Sequence, residues 1–264
     1  MTEFGDQKEY WEDRLQKSFG LHGVGYSGMG RYYNDWMYKI RKRVFSSKAR
    51  EFRKDFAKSL VLDIGCGSGF YIERWKELGV KTLIGIDITK TAIDNLRIQH
   101  PDCLFYQLDI GDEITPLADR KFDCISAFDV LFHIVEDQKF ERSIRHIHSL
   151  LNPEGLFLWS DNFLHGQTLR AKNQVCRSLE DIEMILNRNG FAILQRRPMF
   201  YLMNAPIDRP NTGQRIFWKH LKSAVKKSEL VGACFGGLLY PLEILLTTFA
   251  KESPTTEIMI CKRV

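Results

Sequence analysis

Residues 60–70 read Leu-Val-Leu-Asp-Ile-Gly-Cys-Gly-Ser-Gly-Phe. Leu60, Val61 and Leu62 run into Asp63, and glycines follow at alternate positions 65, 67 and 69. Apolar residues that break into a glycine-dense turn predict a buried strand, then a helix over 70–78 stopped by Gly79. Glycine removes Cβ atoms, so a ligand can lie directly on the backbone and the turn can visit positive φ. A dinucleotide fingerprint, G-x-G-x-x-G, would need its third glycine at position 70, where Phe70 stands. That weakens a pyrophosphate reading. A ligand with an amino-acid end and a nucleoside end fits better.

Three further strands are predicted downstream, each closing on an acid. Residues 81–88 (KTLIGIDI) place Asp87 twenty positions beyond Gly67, where a carboxylate can accept both ribose hydroxyls. Residues 103–110 (CLFYQLDI) end in Asp109-Ile110, an acceptor for an adenine amino group beside an aliphatic neighbour for the ring. Residues 122–129 (FDCISAFD) lead into Val130-Leu131-Phe132-His133.

Four such motifs in this order resemble the class I S-adenosylmethionine-dependent methyltransferases, of the small-molecule type whose fourth strand ends in acid-V-L-x-H. The resemblance covers roughly residues 59–197 and the last strand. It implies an α/β fold: a doubly wound, seven-stranded, mainly parallel Rossmann-like sheet whose last two strands form an antiparallel hairpin. It also implies S-adenosyl-L-methionine as cofactor and S-adenosyl-L-homocysteine as product. The implied contacts are Asp63, Gly65, Gly67 and Gly69 at the amino-acid end, Asp87 and Ile88 at the ribose, Asp109 and Ile110 at the adenine, and Phe128 beside them.

The organisation expected is an N-terminal helical cap over 1–57, a cofactor-binding core over 58–203, a helical lid inserted over 204–254 and a last core strand over 255–264. The cap is rich in aromatics and charge, with amphipathic helices at 9–18 and 32–56 around a glycine-dense hinge, 20–30. Its Gly30–Trp36 run suggests Arg31 and Tyr32 reaching back to the cofactor's carboxylate and sulfonium. The core should carry helices at 70–78, 91–100, 137–151 and 178–189, with strands at 155–163, 191–202 and 256–263. The lid holds an apolar run, 230–250, long enough to span a bilayer. Glu243 and Pro241 weigh against a span; a membrane-surface lid and a packed helix pair both remain open.

Hydrophobic content of 44% and charge of 27% suit a soluble globular chain long enough to build a full core. A net charge of +5 is mild, and its clusters at 39–43, 196–197 and 219–227 read first as solvated helix faces. Six cysteines without a C-x-x-C pair suggest neither zinc nor disulfides, but reduced core thiols in a cytoplasmic protein. No metal is expected. The first residues lack a basic-then-apolar leader.

Methyl transfer from a sulfonium is an in-line displacement that needs a placed nucleophile and often a base. His133, just past the fourth strand, is the base candidate. His22 in the hinge and His165 after the fifth strand are further candidates, Asp161 and Asn162 close that strand where substrate contacts could sit, and His146 and His148 read as helix-face residues. The leading reading is transfer to an oxygen or nitrogen of a small organic acceptor with apolar surface, with no nucleic acid expected. An RNA methyltransferase is the runner-up, although amino-group enzymes of that kind more usually carry Asn/Asp-Pro-Pro-aromatic where Phe128-Asp129-Val130-Leu131 stands. A non-catalytic nucleoside-binding protein on the same fold is the third.

Overall fold

The structure is a computed structural model that describes residues 7–26 and 28–264. In chain order the elements are α1 (Gln7–Lys17), α2 (Leu21–Val24), α3 (Arg31–Phe52), β1 (Leu60–Ile64), α4 (Phe70–Glu77), β2 (Thr82–Asp87), α5 (Lys90–Gln99), β3 (Leu104–Gln107), β4 (Phe122–Phe128), α6 (Asp137–Leu150), β5 (Leu151–Asp161), β6 (Leu169–Ala171), β7 (Gln174–Cys176), α7 (Leu179–Arg188), β8 (Phe191–Pro198), α8 (Thr212–Val225), α9 (Glu229–Phe249) and β9 (Glu257–Arg263).

Strand alternation decides the layers. Val61 points into an apolar cluster with Phe45, Trp75 and Leu83, while Leu62 and Ile64 point into the opposite one with Phe140, Ile144 and Leu150. Both faces of β1 are therefore covered, which is why it reads as a continuous apolar run. The sheet order is β3-β2-β1-β4-β5-β9-β8, with β9 antiparallel to both neighbours and the other pairs parallel. The chain leaves β1 toward β3 and returns to β4 on the other side. That reversal opens a crevice beyond the carboxyl ends of β1 and β4.

The cap is not a separate layer. Tyr33, Met37, Ile40 and Phe45 of α3 belong to the same cluster as β1 and α4. Three details differ from the sequence reading. β5 begins at Leu151, which pairs with Phe122 across a register shift. β8 stops at Pro198, because the following amides turn to other acceptors: Met199 and Phe200 donate to the Thr256 carbonyl. The short hairpin β6–β7 was not expected; its strands are only three residues each, too short to show alternation.

Candidate active site

The glycine turn owes its shape to contacts that a side chain would break. Gly65 has φ 67°, and a Cβ there would overlap the Val130 methyls. Gly69 has φ 83° and precedes α4, packed so closely on Leu96 that a Cβ would meet its Cδ2 at 2.6 Å. Asp87 fastens the turn from β2. Its carboxylate accepts from Gly67 N at 2.9 Å, and from Thr89 N and Oγ1 at 2.9 and 2.7 Å. Burial pushes the Asp87 pKa up despite those bonds.

Beside the turn lies a cavity of about 880 Å³, within the roughly 300–1,000 Å³ typical of ligand pockets. Gly65, Gly67, Asp87, Ile88, Asp109, Ile110, Phe128 and His133 all line it. Asp109 sits at its far end, where Lys139 Nζ pairs with Oδ2 at 2.8 Å and Gly111 N donates to Oδ1 at 2.8 Å.

Four expected contacts lie elsewhere. Asp63 stands behind the turn in a buried relay: Trp75 Nε1 donates to Ser126 Oγ at 2.9 Å, and Ser126 donates to Asp63 at 2.6 Å. Burial raises its pKa to about 7, against the opposing pull of that bond. Gly69 forms the helix entry rather than the cavity wall. Arg31 and Tyr32 open α3 at the opposite side, where their backbone amides each donate to the Glu229 carboxylate at 3.0 Å. Tyr32 is half exposed. The α3 residues that do reach the cavity are Tyr38 and Arg41, two to three turns further on.

Arg41 makes the strongest local interaction. Its Nη2 and Nε lie 2.7 and 3.0 Å from Asp129 Oδ2. Burial disfavours the guanidinium charge, but Asp129, with Tyr38 and Tyr71 beside it, raises the Arg41 pKa on balance. Asp129 adopts φ 59°, an unusual state for a non-glycine residue. Ser160 holds it there, accepting from Asp129 N at 2.9 Å and donating to Oδ1 at 3.0 Å. In the sequence Asp129 could contact the cofactor or simply end the fourth strand; in the structure it lines the cavity. Next to this pair, Tyr71 stacks on Phe128 at 4.2 Å. The Tyr71 hydroxyl and Ser68 Oγ are buried without a hydrogen-bond partner among the described residues, and both side chains line the cavity. Such orphans mark where a polar ligand end would sit.

His133 Nδ1 lies 2.8 Å from the Asn173 carbonyl. A carbonyl can only accept, so Nδ1 carries the hydrogen and Nε2 keeps its lone pair. Burial lowers the His133 pKa, with the Asn173 bond opposing. Burial therefore favours the neutral ring, with Nε2 as its acceptor nitrogen. Trp11 of α1 meets it edge-on at 5.0 Å. Helix α1 forms a roof over the cavity and is latched by Glu12, which caps α5 by accepting from Lys90 N at 2.7 Å and Thr91 Oγ1 at 2.5 Å. No sequence pattern distinguishes Trp11, Glu12 or Arg41 from other amphipathic-helix residues.

The other candidates are engaged outside the cavity. His146 bonds the Ile110 carbonyl through Nδ1 at 2.8 Å, and His165 pairs with Asp208 at 2.6 Å. Asn162 accepts from Thr256 Oγ1 at 3.0 Å, and Asp161 is fully buried. His22 and His148 do not line the cavity. Residues 204–254, expected as its lid, contribute nothing to its wall.

Residues 61–155 match a family model described as a methyltransferase domain. Over 104 residues the chain is 30% identical to the mRNA cap guanine-N(7) methyltransferase of Schizosaccharomyces pombe, covering 36% of this chain and 28% of that protein. Over 164 residues it is 32% identical to the ubiquinone biosynthesis O-methyltransferase of Bradyrhizobium diazoefficiens, covering 61% and 60%. The chain spans less than two fifths of the length of the first curated relatives it matches. Among solved structures, magnesium protoporphyrin IX methyltransferase from Synechocystis PCC 6803 matches with a TM-score of 0.59 at 15% identity, across 100% of both chains. That likeness is one of fold. Residues 61–155 thus match a methyltransferase domain, and they stand on the Rossmann-like methyltransferase fold, with this sheet order and the glycine turn at the cavity.

Proposed function

We propose that the chain transfers a methyl group from S-adenosylmethionine to an oxygen, or a nitrogen, of a small acceptor with apolar surface. The observation that carries the reading is the cavity itself: a positive-φ glycine turn and the carboxylates of Asp87 and Asp109 on its wall, and His133 under an enclosing helix. The residues suit the cofactor on structural grounds. The positive-φ glycine turn leaves open backbone, and the unpartnered Tyr71 hydroxyl and Ser68 Oγ offer bonds to a polar end. Asp87 and Asp109 would hold ribose and adenine. When bound, the cofactor supplies an electrophilic methyl on a sulfonium.

The protein's share is orientation and proton handling. Arg41 and Ser160 keep Asp129 fixed on the cavity wall, where it would face the amino-acid end of the bound cofactor. His133 Nε2 accepts the proton of the acceptor's nucleophile, and the Asn173 carbonyl stabilises the ring as it becomes charged. Trp11, Leu15, Val24, Val130 and Ile134 give the wall apolar surface beside polar groups such as Gln7, Glu113 and Glu136, which favours an acceptor with an apolar part. Five of the six cysteines are buried and all six are free, in keeping with a reducing, cytoplasmic setting.

A second reading, RNA methylation, is favoured by the names of the relatives that act on an mRNA cap or on tRNA U34. The roof of α1 argues for an acceptor that can be enclosed whole. A transfer assay with methyl-labelled cofactor decides between them. Label is expected in phenols or other small apolar acceptors extracted into organic solvent. Label in capped RNA or tRNA, with none in the small-molecule panel, would overturn the small-acceptor reading.

A further inference from the structure

The insertion presents a surface that the cavity does not use. Helix α9 is buried along one stripe, Gly232, Gly236, Leu239, Glu243 and Thr247, at steps of three and four. The stripe lies on α3, where Gly236 and Gly237 meet the Trp36 ring. Glu243 fastens the helix by accepting backbone N–H bonds from Tyr201, Leu202 and Met203 at 2.6, 2.9 and 3.2 Å. On the opposite side Leu230, Leu238, Leu242, Leu245 and Phe249 face solvent, Leu238 at 72% and Phe249 at 77% exposure. From Leu230 to Ala250 the sole charged residue is the buried Glu243. A helix face roughly 30 Å long is therefore exposed without a single charge. Soluble monomers rarely leave such a patch uncovered.

The neighbouring helix supplies the complementary feature. From Thr212 to Ser228 the chain holds Arg215, Lys219, Lys222, Lys226 and Lys227, and no Asp or Glu. Lys226 and Lys227 line a shallow pocket of about 490 Å³ at the start of α9, together with Gly28 and Gly30. Glu229 at its rim is turned to α3, where it caps Arg31 and Tyr32.

We propose that the outer face of α9 lies flat on an anionic phospholipid membrane, with the cations of α8 and of the turn that follows it, Lys226 and Lys227, at the level of the phosphates. An uncharged helix face flanked by cations has the chemistry of an interfacial helix. The Glu243 bonds and the Trp36 contact keep α9 along the protein, so the helix lies in the plane of the interface instead of crossing it. A second copy would cover the apolar face but would bring the same cations and no acids from α8.

Flotation with lipid vesicles tests this. The chain is expected to float with vesicles of phosphatidylcholine and phosphatidylglycerol about tenfold more than with phosphatidylcholine alone, and to be released by high salt or alkaline carbonate. Leu238→Glu with Leu245→Glu, and separately Lys226→Glu with Lys227→Glu, should each lower flotation about tenfold while melting as the parent does. Leu238→Gln with Leu245→Gln serves if the glutamates unfold the chain. Equal or absent flotation on anionic and neutral vesicles overturns the proposal. Retention through carbonate also overturns it, in favour of a span. A stable dimer lost in the Leu238→Glu, Leu245→Glu variant, without flotation, would assign the face to a second copy.

Discussion

The two helical additions to the sheet, the N-terminal cap and the insertion between β8 and β9, look alike in sequence and do opposite things. Each is a helical stretch that carries large apolar side chains. Yet α1 and α3 of the cap put Trp11, Leu15, Tyr38 and Arg41 into the cavity, and the insertion puts nothing there. The difference follows from where each leaves the sheet. The cap runs directly into β1, the strand at the reversal point, so α3 can lie across the crevice mouth. The insertion leaves from β8, the far edge strand, and α3 already occupies the ground between it and the cavity. A helical appendage takes its role from the strand it leaves more than from its composition.

The sharpest break of that contrast would come at His133, where the cap roof meets the reacting end. His133→Ala is expected to lower kcat by roughly 10²- to 10⁴-fold with cofactor affinity nearly unchanged. Because burial lowers the His133 pKa, the neutral, base-competent ring persists to lower pH. Activity of the parent should therefore plateau above the ordinary histidine range and fall only on its acid side. The alanine variant should lose that limb. A variant with full turnover and the same acid limb would return His133 to a packing role and make the cap a cover for the cofactor alone.

Next in size is the link from the cap to the strand ends, Arg41 to Asp129. Arg41→Met keeps most of the side-chain volume but leaves a carboxylate held at positive φ with no cation. Breaking a buried pair costs about 3–5 kcal/mol; Asp129 faces the cavity and is partly solvated, so about 3 kcal/mol is expected. Calorimetric melting should show it, and Asp129→Asn in the same chain should restore part of the loss. An unchanged melting temperature would mean that α3 is held by its apolar face alone.

How much of this was legible in residues 60–133 depends on the kind of contact. The strands, the glycine turn and Asp87, Ile88, Asp109 and Ile110 at the cavity could be read, because backbone conformation and strand ends are local and strand order follows from them. Asp63 and Gly69 were assigned to a ligand, although the fold uses them in a relay and a helix entry; a strand-end acid looks the same in either role. The aromatic and charged run at the start of α3 points to Arg31 and Tyr32. The cavity instead meets that helix at Tyr38 and Arg41, a matter of where the helix crosses the sheet, which no local pattern encodes. The insertion was read as helical and apolar, and it is. Its composition could not say which side of α3 it would cover.

The smallest expected effect on ligand binding is also the cleanest test of that last point. Gly236 on α9 abuts Trp36, and a Cβ would overlap the indole ring rather than the tip of a flexible chain. Gly236→Ala must therefore push α9 away from α3 or rotate Trp36, an overpacking cost of about 1–3 kcal/mol. For a chain of this length that is roughly 2–12 °C in melting temperature. The cavity wall contains neither residue, so affinity for S-adenosylhomocysteine, measured by calorimetry, should stay within about twofold of the parent. A lower melting temperature with unchanged affinity would separate the insertion from the site as the geometry does. If affinity fell in step with stability, α9 would be acting on the cavity through α3, and the contrast between the two additions would be one of distance only.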